Sequence, residues 1–220
     1  MTIPAPPKRH RLEACTSRFL FQLQRTKAYL DVVMPALAAE GETQNRQYCF
    51  QTTVLMLHTF IEEHYRWLVS LATLWRAEEV RHYLAGRKKD SAAQIEEMPF
   101  PGVMRLARKE VGFGEGARKL KGLFAVLFNA PPFADAAAES KCLDLIRVRN
   151  IITHQGGLIE DEDLPQLSSP DVVVRREANG QLVFHHLEIQ PAFFAAALAA
   201  LGRSVAAIDE SLKQDPRYSI

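Results

Sequence analysis

Apolar side chains recur every three or four positions along most of the chain, the period of one buried face of an α-helix. Phe19, Leu23, Leu30, Val33 and Leu37 mark a first amphipathic helix that should end near Gly41. Phe50, Val54, Leu57, Ile61, Leu68, Leu71 and Trp75 keep the spacing through a second helix, which should start near Thr43 or Asn45. It is long enough to be the backbone of a bundle. A short helix over Ala77 to Leu84 extends it or kinks from it, and Gly86 ends that segment. From 86 to 102 the period lapses: Arg87-Lys88-Lys89-Asp90 and Met98-Pro99-Phe100-Pro101-Gly102 read as a loop with turn chemistry. Short helices are expected from Val103 to Val111 and from Ala117 to Phe128. The glycine-rich Gly112-Phe113-Gly114-Glu115-Gly116 between them follows no predicted strand and lacks the spacing of a dinucleotide fingerprint, so it reads as a flexible break.

The helical period resumes from about Asp135 to His154, with Leu143, Ile146, Val148 and Ile151 as apolar positions and Gly156-Gly157 as the stop. An acidic loop, Glu160-Asp161-Glu162-Asp163, follows. Two β-prone runs, Val172-Val173-Val174 and Leu182-Val183-Phe184, then flank Asn179-Gly180, so a small hairpin is expected at about 171–187. Pro191 opens a last helix with Phe194, Leu198, Leu201, Val205, Ile208 and Leu212 on one face. The expectation is an all-α fold: an up-and-down helical bundle in a single domain over 1–220. It carries an irregular insertion at about 86–130 and the β-hairpin before its C-terminal helix.

Composition narrows the setting. A chain of 220 residues, 47% of them hydrophobic, can bury a sizeable core without staples. Its three cysteines, Cys15, Cys49 and Cys142, include no Cys-x-x-Cys pair, so neither a disulfide framework nor a cysteine zinc site is expected. That suits a reducing, cytoplasmic location. The longest apolar run, Pro191 to Leu201, falls short of the roughly 20 residues of a bilayer span, so no membrane partner is expected. The first residues lack the apolar core of a signal peptide. Lys and Arg total 27 against 26 Asp and Glu, which argues against a protein that coats nucleic acid. The neutral total hides an uneven spread. Residues 76–121 hold 11 basic and 7 acidic side chains, whereas residues 135–163 hold 3 basic and 7 acidic. The first stretch, with Lys8, Arg9 and Arg11, could form a path for RNA.

The segment singled out for chemistry is Arg149-Asn150-Ile151-Ile152-Thr153-His154, at the C-terminal end of a helix that otherwise looks buried. A guanidinium holds two phosphate oxygens in a fork at any working pH. An imidazole can take a proton from a 2′-hydroxyl or give one to a leaving oxygen near neutrality. Asn150 can orient either by hydrogen bonding. No metal or other cofactor is required for that chemistry. Five helical steps turn about 140°, so Arg149 and His154 do not share one stripe, although the long Arg stem can swing its head towards the last turn. Chance supplies such Arg–His spacings in a chain with 18 arginines and 7 histidines. The context is more telling: Asn directly after the Arg, an aliphatic helix before it and Gly-Gly after it.

With that context, Leu143-Asp144-Leu145-Ile146-Arg147-Val148-Arg149-Asn150-Ile151-Ile152-Thr153-His154 resembles the signature of the HEPN superfamily. That signature is an Arg, a polar residue, often Asn, and a His four to six positions beyond the Arg. Thr53-Val54-Leu55-Met56-Leu57-His58-Thr59-Phe60-Ile61-Glu62 is similar to the long HEPN helix with its polar His and Glu. The resemblance implies an all-α bundle that forms a homodimer with two Arg/His pairs in a shared cleft. It also implies a metal-independent endoribonuclease of the kind found in toxin–antitoxin and phage-defence systems, with an antitoxin or defence partner. On this reading Arg149 would stabilise the pentavalent phosphate, Asn150 would assist and His154 would be the acid/base. Arg147 is the alternative Arg, and His58 with Glu62 is a supporting pair. Residues 86–130 are not explained by the basic bundle.

Other candidates are weaker. Glu79-Val80-Arg81-His82 has the Glu-x-x-His spacing of di-iron bundles, but such a site needs two copies and further glutamates. His185 and His186 are neighbours in a predicted strand and point to opposite faces. No Gly-x-Ser-x-Gly, zincin or Walker motif is present, which removes the commoner hydrolase and nucleotide-triphosphatase classes. The competing function class is a non-catalytic helical module that binds a partner protein.

Overall fold

The periodic stripes become buried faces. In the computed structural model, which describes residues 8–39, 43–155, 158–159, 171–179 and 182–218, helix α1 spans Lys8–Ala39 and α2 spans Thr43–Thr73. Phe50, Val54, Leu57, Ile61 and Leu68 of α2 are all buried, and so are Phe19, Leu23 and Leu30 of α1. Helix α1 begins eleven residues before its first expected apolar position, because Leu12 and Thr16 also turn inward from an otherwise charged stretch. The remaining helices are α3 (Ala77–Arg87), α4 (Ala92–Glu96), α5 (Phe100–Glu110), α6 (Gly114–Phe128), α7 (Ala136–Gln155) and α8 (Pro191–Gln214). The protein is an all-α helical bundle with eight α-helices among the described residues. Gly41, Gly156-Gly157, the acidic loop at 160–163 and Gly180 lie outside the described residues.

The chain's contacts group into two compact units. The first comprises Met1–Leu20, Ile61–Ala134 and Ser204–Ile220; the second comprises Phe21–Phe60 and Asp135–Arg203.

The first unit is built around aromatic rings. Tyr65, 2% exposed, meets Phe113, Phe124 and Phe133 edge-on, and its hydroxyl donates to the Pro132 carbonyl at 2.7 Å. Buried Tyr218 donates in the same way to Leu127 at 2.6 Å. Arg76 adds hydrogen bonds to the carbonyls of Val126 (2.7 Å) and Leu127 (3.0 Å), so the open C-terminal end of α6 is satisfied by side chains. Helix α6 stops where Asn129 takes a left-handed conformation, φ 51°, which Asn tolerates better than most residues.

The stretch expected as loop at 86–102 is largely helical: a 3₁₀ turn at Lys89–Ser91, then α4, then the start of α5. The physical reason is that proline has two meanings. Pro99 occupies the N-cap of α5 and Pro101 its first turn, where a missing N–H costs nothing and the fixed φ suits a helix. Likewise α6 begins at Gly114, inside the glycine-rich segment read as a break.

The second unit contains α7 and the strands. Asp135 caps α7 by accepting from the backbone N–H of Ala138 at 2.6 Å. Strand β2 (Val172–Asn179) pairs antiparallel with β3 (Leu182–Ile189), from Val172↔Ile189 to Asn179↔Leu182. A two-residue strand, β1 (Leu158–Ile159), joins the other edge of β3, giving the order β1-β3-β2. The Gln47 side-chain amide on α2 completes the ladder at the foot of β3, accepting from Ile189 N–H (2.9 Å) and donating to its carbonyl (3.1 Å). Phe50 stacks on Phe194, with ring centroids 5.1 Å apart. Helix α8 is 24 residues long, reaches a mean hydropathy of 1.6 over its most apolar 18 residues, and is long and apolar enough to cross a membrane by composition; Phe193, Phe194, Leu201, Val205, Ile208 and Leu212 on it are buried in the fold.

Candidate functional site

Helix α7 divides its residues sharply. Leu145, Ile146, Val148 and Ile151 are buried, fixing one face against the second unit's core and leaving Asn150 and His154 on the other side of the helix. Asn150 and His154 are exposed and Arg149 is half-buried. Asn150 and His154 lie four residues apart and therefore share a face. Arg149 sits about 100° round the helix from Asn150, yet its Nη1 donates to Asn150 Oδ1 at 3.0 Å. That bond bends the guanidinium towards the stripe that carries His154. Thr153 in the same turn donates back to the Arg149 carbonyl at 2.8 Å.

Two arginines two positions apart have opposite surroundings. Arg147 Nη1 lies 3.1 Å from Oδ1 of Asp144, whose side chain is only 3% exposed. A guanidinium tied to a buried carboxylate is part of the packing. Arg149 meets no carboxylate among the described residues, and its one hydrogen bond is to a neutral amide, so its charge remains available for a phosphate. His154 occupies the last turn of α7, is exposed, and makes no hydrogen bond among the described residues.

His58 is 6% exposed, inside the second unit. Glu62 belongs to the first unit, where it accepts an ion pair from Arg66 at 3.3 Å. In the Glu-x-x-His segment, Glu79 takes Arg76 (3.0 Å) and His82 faces Glu96 (3.0 Å). Among the described residues no three His, Cys, Asp or Glu side chains are grouped to hold a metal ion.

One pairing escaped the sequence reading. Cys15 Sγ lies 3.8 Å from Nδ1 of His64, 49 positions later in the chain. It has the composition of a nucleophile–base dyad and the wrong environment for one. Burial drives the His64 pKa down to about 3 and the Cys15 pKa up to about 11, so both groups stay neutral and no thiolate forms. His64 instead stacks on Phe19, with centroids 4.4 Å apart and planes 8° from parallel, while its Nε2 finds no partner among the described residues. It is a core residue.

No family model, no curated protein and no solved structure matches the chain.

Proposed function

We propose that the protein is a metal-independent endoribonuclease of HEPN type, with Arg149, Asn150 and His154 as its site. The observation that carries the reading is the 3.0 Å bond from Arg149 to Asn150, which turns a guanidinium that meets no carboxylate among the described residues towards the exposed face of His154. A phosphate held by Arg149 and Asn150 there would lie on the face that carries the exposed imidazole of His154. In the reaction the 2′-oxygen bonds to phosphorus as the bond from phosphorus to the 5′-oxygen breaks. One imidazole accepts the 2′-hydroxyl proton and an acid donates a proton to the departing 5′-oxygen. The dianionic phosphorane charge falls on the guanidinium. A homodimer that faces two copies of the pair would supply both base and acid. A toxin or phage-defence role in the cytoplasm, with an antitoxin or defence partner, belongs to the same proposal.

The experiment is incubation of purified protein with RNA in EDTA. The products expected are 2′,3′-cyclic phosphate and 5′-hydroxyl ends, with no cleavage of DNA, which lacks the 2′-hydroxyl. Loss of cutting in EDTA would overturn the mechanism.

A second reading, a non-catalytic interaction module, is favoured by exposed apolar side chains in the second unit. Phe21 (58%), Val32 (72%) and Tyr29 (44%) on α1, with Tyr48 (71%) on α2, remain open to solvent. Such side chains suit a protein partner. The module predicts stable capture of a partner and no RNA cleavage by a correctly folded, partner-free preparation.

A further inference from the structure

The basic stretch at 76–121 takes on a specific shape in the first unit. Arg66 of α2 and Phe100, Met104, Arg105, Arg108 and Lys109 of α5 line a cavity of about 590 Å³, a size typical of small-molecule sites. Met104, Arg105 and Arg108 recur at helical spacing, so one face of α5 presents both charge and an apolar surface. The only carboxylate of α5, Glu110, does not line the cavity; it is 4% exposed and engages Lys88 at 3.2 Å and Arg87 at 3.8 Å. Arg66 has Glu62 beside it. Arg105, Arg108 and Lys109 are exposed, and their side chains make no ion pair or hydrogen bond among the described residues.

Three uncommitted cations within two turns repel one another, and an anion with several oxygens relieves that repulsion while taking forked hydrogen bonds. Phe100 and Met104 beside them offer a ring face and a polarisable sulfur, the surfaces on which a flat heterocycle packs. A bare phosphate would leave the apolar part open, and a purely apolar ligand would leave the charge unanswered. We propose that this cavity binds a nucleoside phosphate, its phosphates on Arg105, Arg108 and Lys109 and its base against Phe100 and Met104. The phosphate can belong to a free nucleotide or to the 5′ end of an RNA strand. This inference stands on the first unit alone and does not depend on the reading of α7.

The test is calorimetric titration of the full-length protein with ATP, adenosine, pyrophosphate and a 5′-phosphorylated 2′-O-methyl trinucleotide, which resists 2′-hydroxyl cleavage. ATP or the trinucleotide should bind at least about tenfold more tightly than pyrophosphate or adenosine, and more weakly as salt rises. Whichever of the two binds better names the source of the phosphate, and either result supports the site. The Arg105→Glu/Arg108→Glu double variant alters exposed positions and should keep its melting temperature while losing binding about tenfold or more. The proposal is overturned if neither ATP nor the trinucleotide binds, if the folded double variant binds as the parent does, or if pyrophosphate binds as tightly as the better of ATP and the trinucleotide.

Discussion

Two histidines, each beside a group of catalytic type, show how environment decides chemistry. His64 lies in the first unit against the Cys15 thiol, 4% exposed, stacked on Phe19 and held neutral by burial. His154 lies at the exposed end of α7 in the second unit, close in sequence to an arginine that no carboxylate among the described residues claims. Residue type alone would rank the Cys–His pair higher, since it brings together a nucleophile and a base. Burial reverses the ranking. A proton carrier must exchange with solvent or substrate, and only His154 can.

The largest effects should come from the exposed site. His154→Ala and Arg149→Ala should each lower RNA cleavage by about 10²–10⁴-fold, with melting temperatures unchanged, as read by gel assay and calorimetry. Equal activity in either folded variant would erase the contrast between the two histidines.

The buried one should behave in the opposite way. His64→Ala removes a fully packed ring and should cost about 2–4 kcal/mol of stability in denaturant titration, while the cleavage rate of the remaining folded protein stays as it was. A loss of activity without a loss of stability would move His64 into the site.

Acidity sharpens the same point. The ordinary His pKa of 6.5 falls to about 3 at His64 in the folded protein, through burial. Below pH 6.5 the unfolded chain therefore binds a proton that the folded chain refuses until about pH 3. Stability is lost as pH falls through that window, at up to about 1.4 kcal/mol per pH unit from this group. His64→Phe, which keeps a ring against Phe19, should flatten that part of the profile; an unchanged acid limb would show that other groups set it.

Smaller changes separate the two arginines. Asn150→Ala releases the Arg149 guanidinium from its 3.0 Å bond and should slow cleavage by about tenfold. Arg147→Ala should lower stability by about 1 kcal/mol, because it deprives the buried Asp144 of one partner. Its effect on cleavage should be the smaller of the two. A larger effect on cleavage from Arg147 would exchange their roles.

What the sequence made legible follows the same division. Long helices with unbroken apolar stripes were readable, because α2 buries Phe50, Val54, Leu57, Ile61 and Leu68 at the positions that the period marks. Helix α4 and the first turn of α5 were not. Pro99, Pro101 and Gly102 serve a helix start as well as they serve a turn, and no local rule separates the two uses. Strand β1 has two residues, too few for any period. At the site, the Arg149–Asn150–His154 spacing was visible, but the difference between Arg147 and Arg149 was not, since it rests on Asp144 being buried. His58 stands four residues after Val54 and three before Ile61, at the edge of the buried stripe, where a polar side chain can face either way. The cavity on α5 left only one trace in the sequence, the excess of basic residues at 76–121.

The measurement that tests the central claim most directly is end-group analysis of RNA incubated in EDTA with the purified protein and with His154→Ala in parallel. The account predicts 2′,3′-cyclic phosphate ends from the parent protein and none from the variant, with both proteins equally folded. Cyclic phosphate ends produced equally by the folded variant, or no cleavage of any RNA by the parent, would contradict it.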